Sequence, residues 1–88
     1  MSRVVASMKV FPKDVVISVD ELKEGIKNAL PDYASVYKMD EEPIAFGLVA
    51  LIVHVVIPES SGKMDEIVET IKGVKGISEV ETILVRRV

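Results

Sequence analysis

The sequence contains no cysteine and no tryptophan, and it has a single histidine among 88 residues. The absence of cysteine excludes a disulfide framework and a zinc site built on thiolate ligands. Glycine and proline number only 5 and 4, and a hydrophobic share of 49% is too high for a disordered chain. These proportions indicate one globular domain over residues 1–88 with a modest hydrophobic core.

The chain also has no excess of basic residues and no long apolar run. Its longest apolar run, residues 44–57, is interrupted by Gly47 and His54 and is too short to span a bilayer. The first residues lack the basic and apolar segments of a signal peptide, so we expect a cytoplasmic protein that does not bind membranes. The net charge of −3 argues against direct binding of nucleic acid, whose phosphates require a basic face.

Apolar spacing predicts the secondary structure. Extended, apolar segments indicate strands at residues 4–11, 34–39, 48–58 and 77–87. A first helix begins at a capping box formed by Ser18 and Glu21, carries apolar residues 19, 22, 26 and 29, and ends before Pro31. We expect Gly25, which is unfavourable inside this helix, to lie close to the sheet. A second helix carries apolar residues 64, 67, 68, 71 and 74 and is closed by Gly73.

The order β-α-β-β-α-β is that of the split-βαβ, ferredoxin-like α+β sandwich. Two right-handed crossovers place both helices on one face of a four-stranded antiparallel sheet, with the first and third strands in the centre. The two most apolar predicted strands are those two, which agrees with a central position. The open face of the sheet is then available for a partner.

Residues that could carry covalent chemistry are scarce. His54 is isolated in a predicted central strand, where a structural role is expected. Asp40, Glu41 and Glu42 predict a solvated acidic turn, because neighbours on an extended chain point to opposite sides and make a poor metal cage. The sequence has no glycine-rich phosphate-binding motif and no nucleophile paired with a base. We therefore expect no active site, no bound metal and no cofactor.

The run E-E-P-I-A-F-G-L-V-A-L, residues 41–51, is the least ordinary segment. Pro43 fixes its own φ angle, and Gly47 permits a positive φ angle that Phe46 could hardly adopt. Phe46 is therefore expected on a turn between two strands. The residues alone favour a ring that is a plug tucked under its own loop, with a contact for a partner as the alternative.

This run and the C-terminal V-R-R-V resemble archaeal elongation factor 1-beta, the nucleotide-exchange factor for elongation factor 1-alpha, over essentially the whole chain. The resemblance implies a factor that breaks no covalent bond and binds elongation factor 1-alpha. Phe46 takes the position of the family's partner-contacting phenylalanine, between Pro43 and Gly47. Arg87 replaces a lysine that, in eukaryotic relatives, intrudes near the Mg²⁺ and phosphate site, and Arg86 beside it could take the role instead, because a guanidinium is bulkier and flatter than an ammonium.

The resemblance and the predicted topology together imply two separate contacts. The Phe46 turn and the C-terminal arginines fall at opposite ends of the sheet, and strands of six or seven residues would separate them by roughly 20 Å. The long extensions of eukaryotic relatives are absent, so the chain is expected to be a bare exchange domain.

Two other functions remain open at this point. One is a small ferredoxin-like ligand-binding or regulatory module with a pocket at the sheet edge. The other is an acylphosphatase-like enzyme, for which Arg3 and Asn28 are the only loose candidates.

Overall fold

The structure is a computed structural model that describes residues 2–60 and 62–88. Its elements are β1 (Arg3–Pro12), α1 (Val19–Ala29), β2 (Ser35–Pro43), a single tight turn (Ala45–Gly47), β3 (Val49–Pro58), α2 (Lys63–Lys72) and β4 (Ile77–Arg87). The strands form one antiparallel sheet in the order β2-β3-β1-β4, so β1 and β3 are central. The predicted ferredoxin-like fold is confirmed.

The hydrophobic core lies between the helices and one face of the sheet. Alternate residues of the two central strands point into it because side chains on a strand alternate between faces. The fully buried members from these strands are Ala6, Met8, Val10, Leu51, Val53 and Val55. They pack against Leu22 and Ile26 of α1 and Ile67 and Ile71 of α2. The predicted helix stripes are therefore correct at their centres, although Ala29 is exposed and Val74 lies beyond the end of α2.

Both helices begin and end where the sequence predicts. The Glu21 N–H donates to Ser18 Oγ at 3.4 Å, which caps α1. Gly73 follows the last residue of α2, and its N–H donates to the carbonyl oxygen of Glu69 at 3.1 Å. Gly76, with a φ angle of +95°, then turns the chain into β4.

The prediction that Gly25 lies close to the sheet is wrong. A Cβ atom added at Gly25 would lie 2.9 Å from Cγ1 of Val74, which belongs to the segment between α2 and β4. The glycine is therefore explained by close approach of α1 to the end of α2. Contact with the segment after α2, rather than contact with the sheet, sets this position.

His54 joins three strands on the open face of the sheet. Its Nδ1 lies 2.7 Å from Ser7 Oγ on β1, and its Nε2 lies 3.4 Å from Asp40 Oδ2 on β2. A carboxylate only accepts hydrogen bonds, so in the neutral imidazole these contacts favour the tautomer with the proton on Nε2, in which Nδ1 accepts from the Ser7 hydroxyl. These contacts agree with the expected structural role of the histidine.

The acidic run is exposed, as predicted from the sequence, but it lies in a strand and not in a turn. Asp40, Glu41 and Glu42 lie within β2, which extends to Pro43. Each has a cationic or histidine neighbour: Glu41 pairs with Lys23 at 2.9 Å, Glu42 with Lys9 at 2.5 Å, and Asp40 lies 3.4 Å from His54. The run therefore fixes an edge strand by cross-strand and strand-to-helix pairs. No helix within the described part of the chain is long and apolar enough to cross a membrane.

Candidate functional site

The tight turn between β2 and β3 holds Phe46 in a left-handed conformation. Phe46 has φ and ψ angles of 62° and 31°, and Gly47 follows with a φ angle of 78°. Positive φ angles at both central residues are typical of the type I′ hairpin turn. The Leu48 N–H donates to the Ala45 carbonyl at 3.3 Å, and the Ile44 N–H donates to the Leu48 carbonyl at 2.8 Å. The expectation that only Gly47 would take a positive φ angle is therefore wrong.

The ring of Phe46 projects into solvent. Its exposed fraction is 94%, so it is not a plug beneath its own loop. A left-handed phenylalanine costs about 1–2 kcal/mol relative to an ordinary conformation, and exposure brings no compensating burial. A strained, fully exposed aromatic residue is a candidate contact for another molecule.

Two valines that the sequence analysis did not single out lie at the same end. Val15 and Val16 are 57% and 83% exposed. A Cβ atom added at Gly47 would lie 3.7 Å from Val15 Cγ1, so the loop after β1 adjoins the Phe46 turn. Together these side chains form what we call the apolar tip, defined by Val15, Val16 and Phe46. Two consecutive valines in a loop after Pro12 could have indicated an exposed apolar site. Their position beside Phe46, however, follows only from the folded topology.

Local hydrogen bonds hold the first loop of the apolar tip. The Val16 N–H donates to Asp14 Oδ1 at 3.2 Å, and the Ile17 N–H donates to the Asp14 carbonyl at 3.3 Å. Ile17 then packs against the core. Because the hydrogen bonds to Asp14 fold the loop so that Ile17 contacts the core, the side chains of Val15 and Val16 face outward.

The two C-terminal arginines lie at the opposite end, on the last residues of β4. Arg87 is opposite Val4 and Arg86 is opposite Val5 in the β1–β4 register. The Val88 N–H donates to the Arg3 carbonyl at 3.1 Å, so pairing continues to the end of the chain. Neighbours on a strand point to opposite faces, so Arg87 lies on the helix side and Arg86 on the open face.

Arg87 is engaged by Glu59, the residue directly after β3. Arg87 Nε lies 3.0 Å and 2.8 Å from the two carboxylate oxygens, and a terminal nitrogen of the guanidinium lies 2.7 Å from Oε2. Hydrogen bonding to this carboxylate raises the pKa of Arg87 above its ordinary value. Within the described residues, Arg86 forms no comparable ion pair.

The apolar tip and the arginines are farther apart than the sequence had indicated. The 10 residues of β3 run from the Phe46 turn to the arginine end, which corresponds to roughly 30 Å. The molecule is 42 Å along its longest axis. The earlier figure of roughly 20 Å was too short because it used strands of six or seven residues. One small pocket cannot hold both ends.

Besides a groove of about 680 Å³ at the sheet edge along β2, a second groove lies between the helices. It has a volume of about 890 Å³ and is lined by Leu22, Gly25, Asn28 and Val74, among others. Arg3 does not line it, so the groove does not bring together the two residues considered for an acylphosphatase-like site. Among the residues that the structure describes, there is no group of three or more His, Asp or Glu side chains able to hold a metal ion.

The fold and these surfaces define a small ferredoxin-like α+β domain with an exposed apolar tip at one end of its sheet and two arginines at the other. Residues 5–88 match the family described as the EF-1 guanine nucleotide exchange domain, and the chain belongs to this family. It is 41% identical over 87 residues to elongation factor 1-beta of Methanothermobacter thermautotrophicus, covering 99% of this chain and 98% of that protein. It is 38% identical to elongation factor 1-beta of Natronomonas pharaonis, with 100% of both chains covered.

Solved structures of other families share the fold at low sequence identity. The ACT domain from the GTP pyrophosphokinase of Chlorobium tepidum superposes with a TM-score of 0.62 at 11% identity, covering 90% of this chain and 96% of that one. The C-terminal domain of the MgtC protein from Mycobacterium tuberculosis gives a TM-score of 0.54 at 11% identity, covering 94% of this chain and 86% of that one. These likenesses concern the fold alone.

Proposed function

We propose that residues 1–88 form one exchange domain that promotes replacement of GDP by GTP on elongation factor 1-alpha during translation elongation in the cytoplasm. The family match over residues 5–88 carries this proposal. Exchange requires no covalent chemistry. A protein that binds the nucleotide-free GTPase more tightly than the GDP form must, by thermodynamic linkage, weaken the binding of GDP.

The Phe46 end supplies affinity in this proposal. The ring is 94% exposed on a rigid turn, which suits an aromatic anchor that fills a pocket on a partner. Pro43 ends β2 opposite Val49, and Gly47 completes the turn, so both fix the direction in which the ring projects. The proposed contact is a protein surface of elongation factor 1-alpha away from its nucleotide.

The arginine end supplies the exchange step. A GTPase holds the phosphates of its nucleotide through a backbone loop, a lysine and Mg²⁺. A guanidinium inserted near that site would compete with these groups for phosphate oxygens and disturb the bound Mg²⁺. Arg87 stands at the position of the family's intruding lysine, and Arg86 is its neighbour. Because β3 separates the two ends by roughly 30 Å, we expect them to contact different parts of one large partner.

The direct test uses elongation factor 1-alpha from the same source loaded with fluorescent GDP. Adding this chain together with excess unlabelled nucleotide should accelerate the loss of fluorescence in proportion to its concentration, up to saturation. Release at the spontaneous rate, despite measurable binding, would contradict the exchange function. A ferredoxin-like protein from another family serves as the control for non-specific effects.

The groove between the helices supports a second candidate function, that of a small ligand-binding module. Its volume of about 890 Å³ is sufficient for a small molecule. A thermal-shift screen of nucleotides and amino acids tests it. A ligand that raises the melting temperature, and loses this effect when the exposed Asn28 in the lining is replaced by tryptophan to block the groove, would support it.

A further inference from the structure

We propose that Glu59 is a latch that holds Arg87 away from the partner's phosphate site and limits the rate of exchange. This inference rests on the proposed function, because it assigns a role to Glu59 through Arg87. Glu59 is a positioning residue in this scheme. It does not contact the nucleotide but competes with it for the same guanidinium.

The backbone brings these two side chains together. Glu59 follows β3 directly, and its N–H donates to the Ser2 carbonyl at 2.9 Å. Pro58, the last residue of β3, is opposite Arg3, and Arg87 is opposite Val4. The first residues of β1 therefore lie between the ends of β3 and β4. Glu59 and Arg87 meet on the helix side of this end although 28 positions separate them.

The geometry engages one of the two donor edges with which a guanidinium can bind a phosphate. The Arg87 side chain presents Nε and one terminal nitrogen to the two oxygens of Glu59, in the fork arrangement that guanidinium groups also use for phosphates. The side chain is 76% exposed, so the pair lies at the surface and is not locked in the interior. Water and a competing anion can therefore displace it.

Pairing of Arg87 with Glu59 lowers the fraction of exchange-factor molecules whose Arg87 is free to reach the partner's phosphate site. While it is paired, the Arg87 side chain is held against the end of β3 and the Glu59 carboxylate offsets its charge, so it has to leave Glu59 to extend toward an anion of the partner. An interaction present in the starting complex and absent from the exchange transition state slows the step. Exposed ion pairs are weak, so we expect removal of the latch to raise the maximal release rate about two- to fivefold.

The test compares Glu59→Gln with the unmodified chain at saturating concentration on elongation factor 1-alpha loaded with fluorescent GDP. The maximal rate of GDP release should rise, whereas the concentration that gives half-maximal release should stay the same. Glu69→Gln is the matched control, since it also removes one carboxylate from an exposed pair, with Lys72 at 3.6 Å at the far end of α2. This control should leave the maximal rate unchanged.

A second comparison shows whether Glu59 acts through Arg87. In an Arg87→Ala background, Glu59→Gln should have no further effect on the release rate. A side-chain NMR signal from Arg87 Nε–H, slowly exchanging in the unmodified chain and rapidly exchanging in Glu59→Gln, would report the broken pair directly. An unchanged or lowered maximal rate in Glu59→Gln overturns the latch, as does an equal gain in the Arg87→Ala background. If the unmodified chain does not accelerate GDP release from elongation factor 1-alpha, the proposed exchange function is wrong, and the latch is not what has failed.

Discussion

Phe46 combines a strained backbone conformation with an exposed aromatic ring. Its ring buries almost no area within the domain, so Phe46→Ala should leave the melting temperature nearly unchanged. The same change should weaken binding to elongation factor 1-alpha by about 2 kcal/mol or more, as for a central interface aromatic. Isothermal titration and thermal unfolding of the same sample check both values. A large fall in melting temperature with unchanged affinity would contradict the anchor role.

A second substitution at Phe46 separates strain from contact. Phe46→Gly removes the ring as alanine does, but glycine adopts a φ angle of 62° without steric cost. The glycine variant should therefore be more stable than the alanine variant by about 1 kcal/mol, while both lose the same affinity. Unequal affinities would mean that the backbone of the turn, rather than the ring, makes the contact.

Tyr33 provides a pH-dependent test of the structure at a single residue. Its hydroxyl donates to Glu66 Oε1 at 2.5 Å, and this hydrogen bond raises the pKa of Tyr33 above 10.0. Because the folded pKa is raised, the associated stabilisation is complete below the unfolded pKa and is lost as pH rises through the folded value. In a Tyr37→Phe background, an ultraviolet titration follows Tyr33 alone. The midpoint should lie above 10.0 and fall when Glu66 is replaced by glutamine.

At the level of elements, Gly25 and Val74 link α1 to the segment after α2. Alanine is usually about 1 kcal/mol better than glycine inside a helix. Here a Cβ atom at Gly25 would lie 2.9 Å from Val74 Cγ1, and a β-branched side chain has little freedom to move away. Gly25→Ala should therefore lose its propensity gain or destabilise the domain. In a Val74→Ala background the same change should stabilise it, and urea unfolding of the four proteins gives the coupling energy. Additive effects would show that the two elements do not touch at this point.

The elements themselves were predictable because their signals are local. Ser18 and Glu21 form a capping box within three residues, and the alternation of apolar residues in β1 is visible over a few positions. The length of β2 was not predictable in this way. Asp40, Glu41 and Glu42 have poor strand propensity, yet they continue the pairing of β2 with β3, and Lys9, Lys23 and His54 lie close enough to pair with them.

At the scale of the whole molecule, the positions of Phe46 and Arg87 at the two ends of the sheet could be predicted from the sequence, but the residues that surround them could not. Topology alone put Phe46 and Arg87 at opposite ends, because alternate strands of an antiparallel sheet run in opposite directions. The addition of Val15 and Val16 to the apolar tip, and the contact between Glu59 and Arg87, depend on residues far apart in the chain. A local sequence pattern cannot indicate contacts between residues so far apart in the chain, so these contacts are visible only in the folded structure.

The separation of the two ends predicts separable defects in exchange. Phe46→Ala should raise the concentration of factor needed for half-maximal GDP release and leave the maximal rate nearly unchanged. Arg87→Ala should lower the maximal rate, even at saturating factor, because the guanidinium is proposed to act after the complex has formed. Equal changes of both parameters in both variants would mean that the two ends do not have distinct roles.

The most direct test of the central claim is the rate of GDP release with a chain that lacks residues 86–88. The truncation removes both arginines but leaves the apolar tip and the core intact, so the shortened domain should fold and bind elongation factor 1-alpha. Binding and folding are checked by titration and by circular dichroism. The account predicts that GDP release then falls to the spontaneous rate although the complex forms. Full acceleration by the truncated, bound protein would contradict the role of the C-terminal arginines.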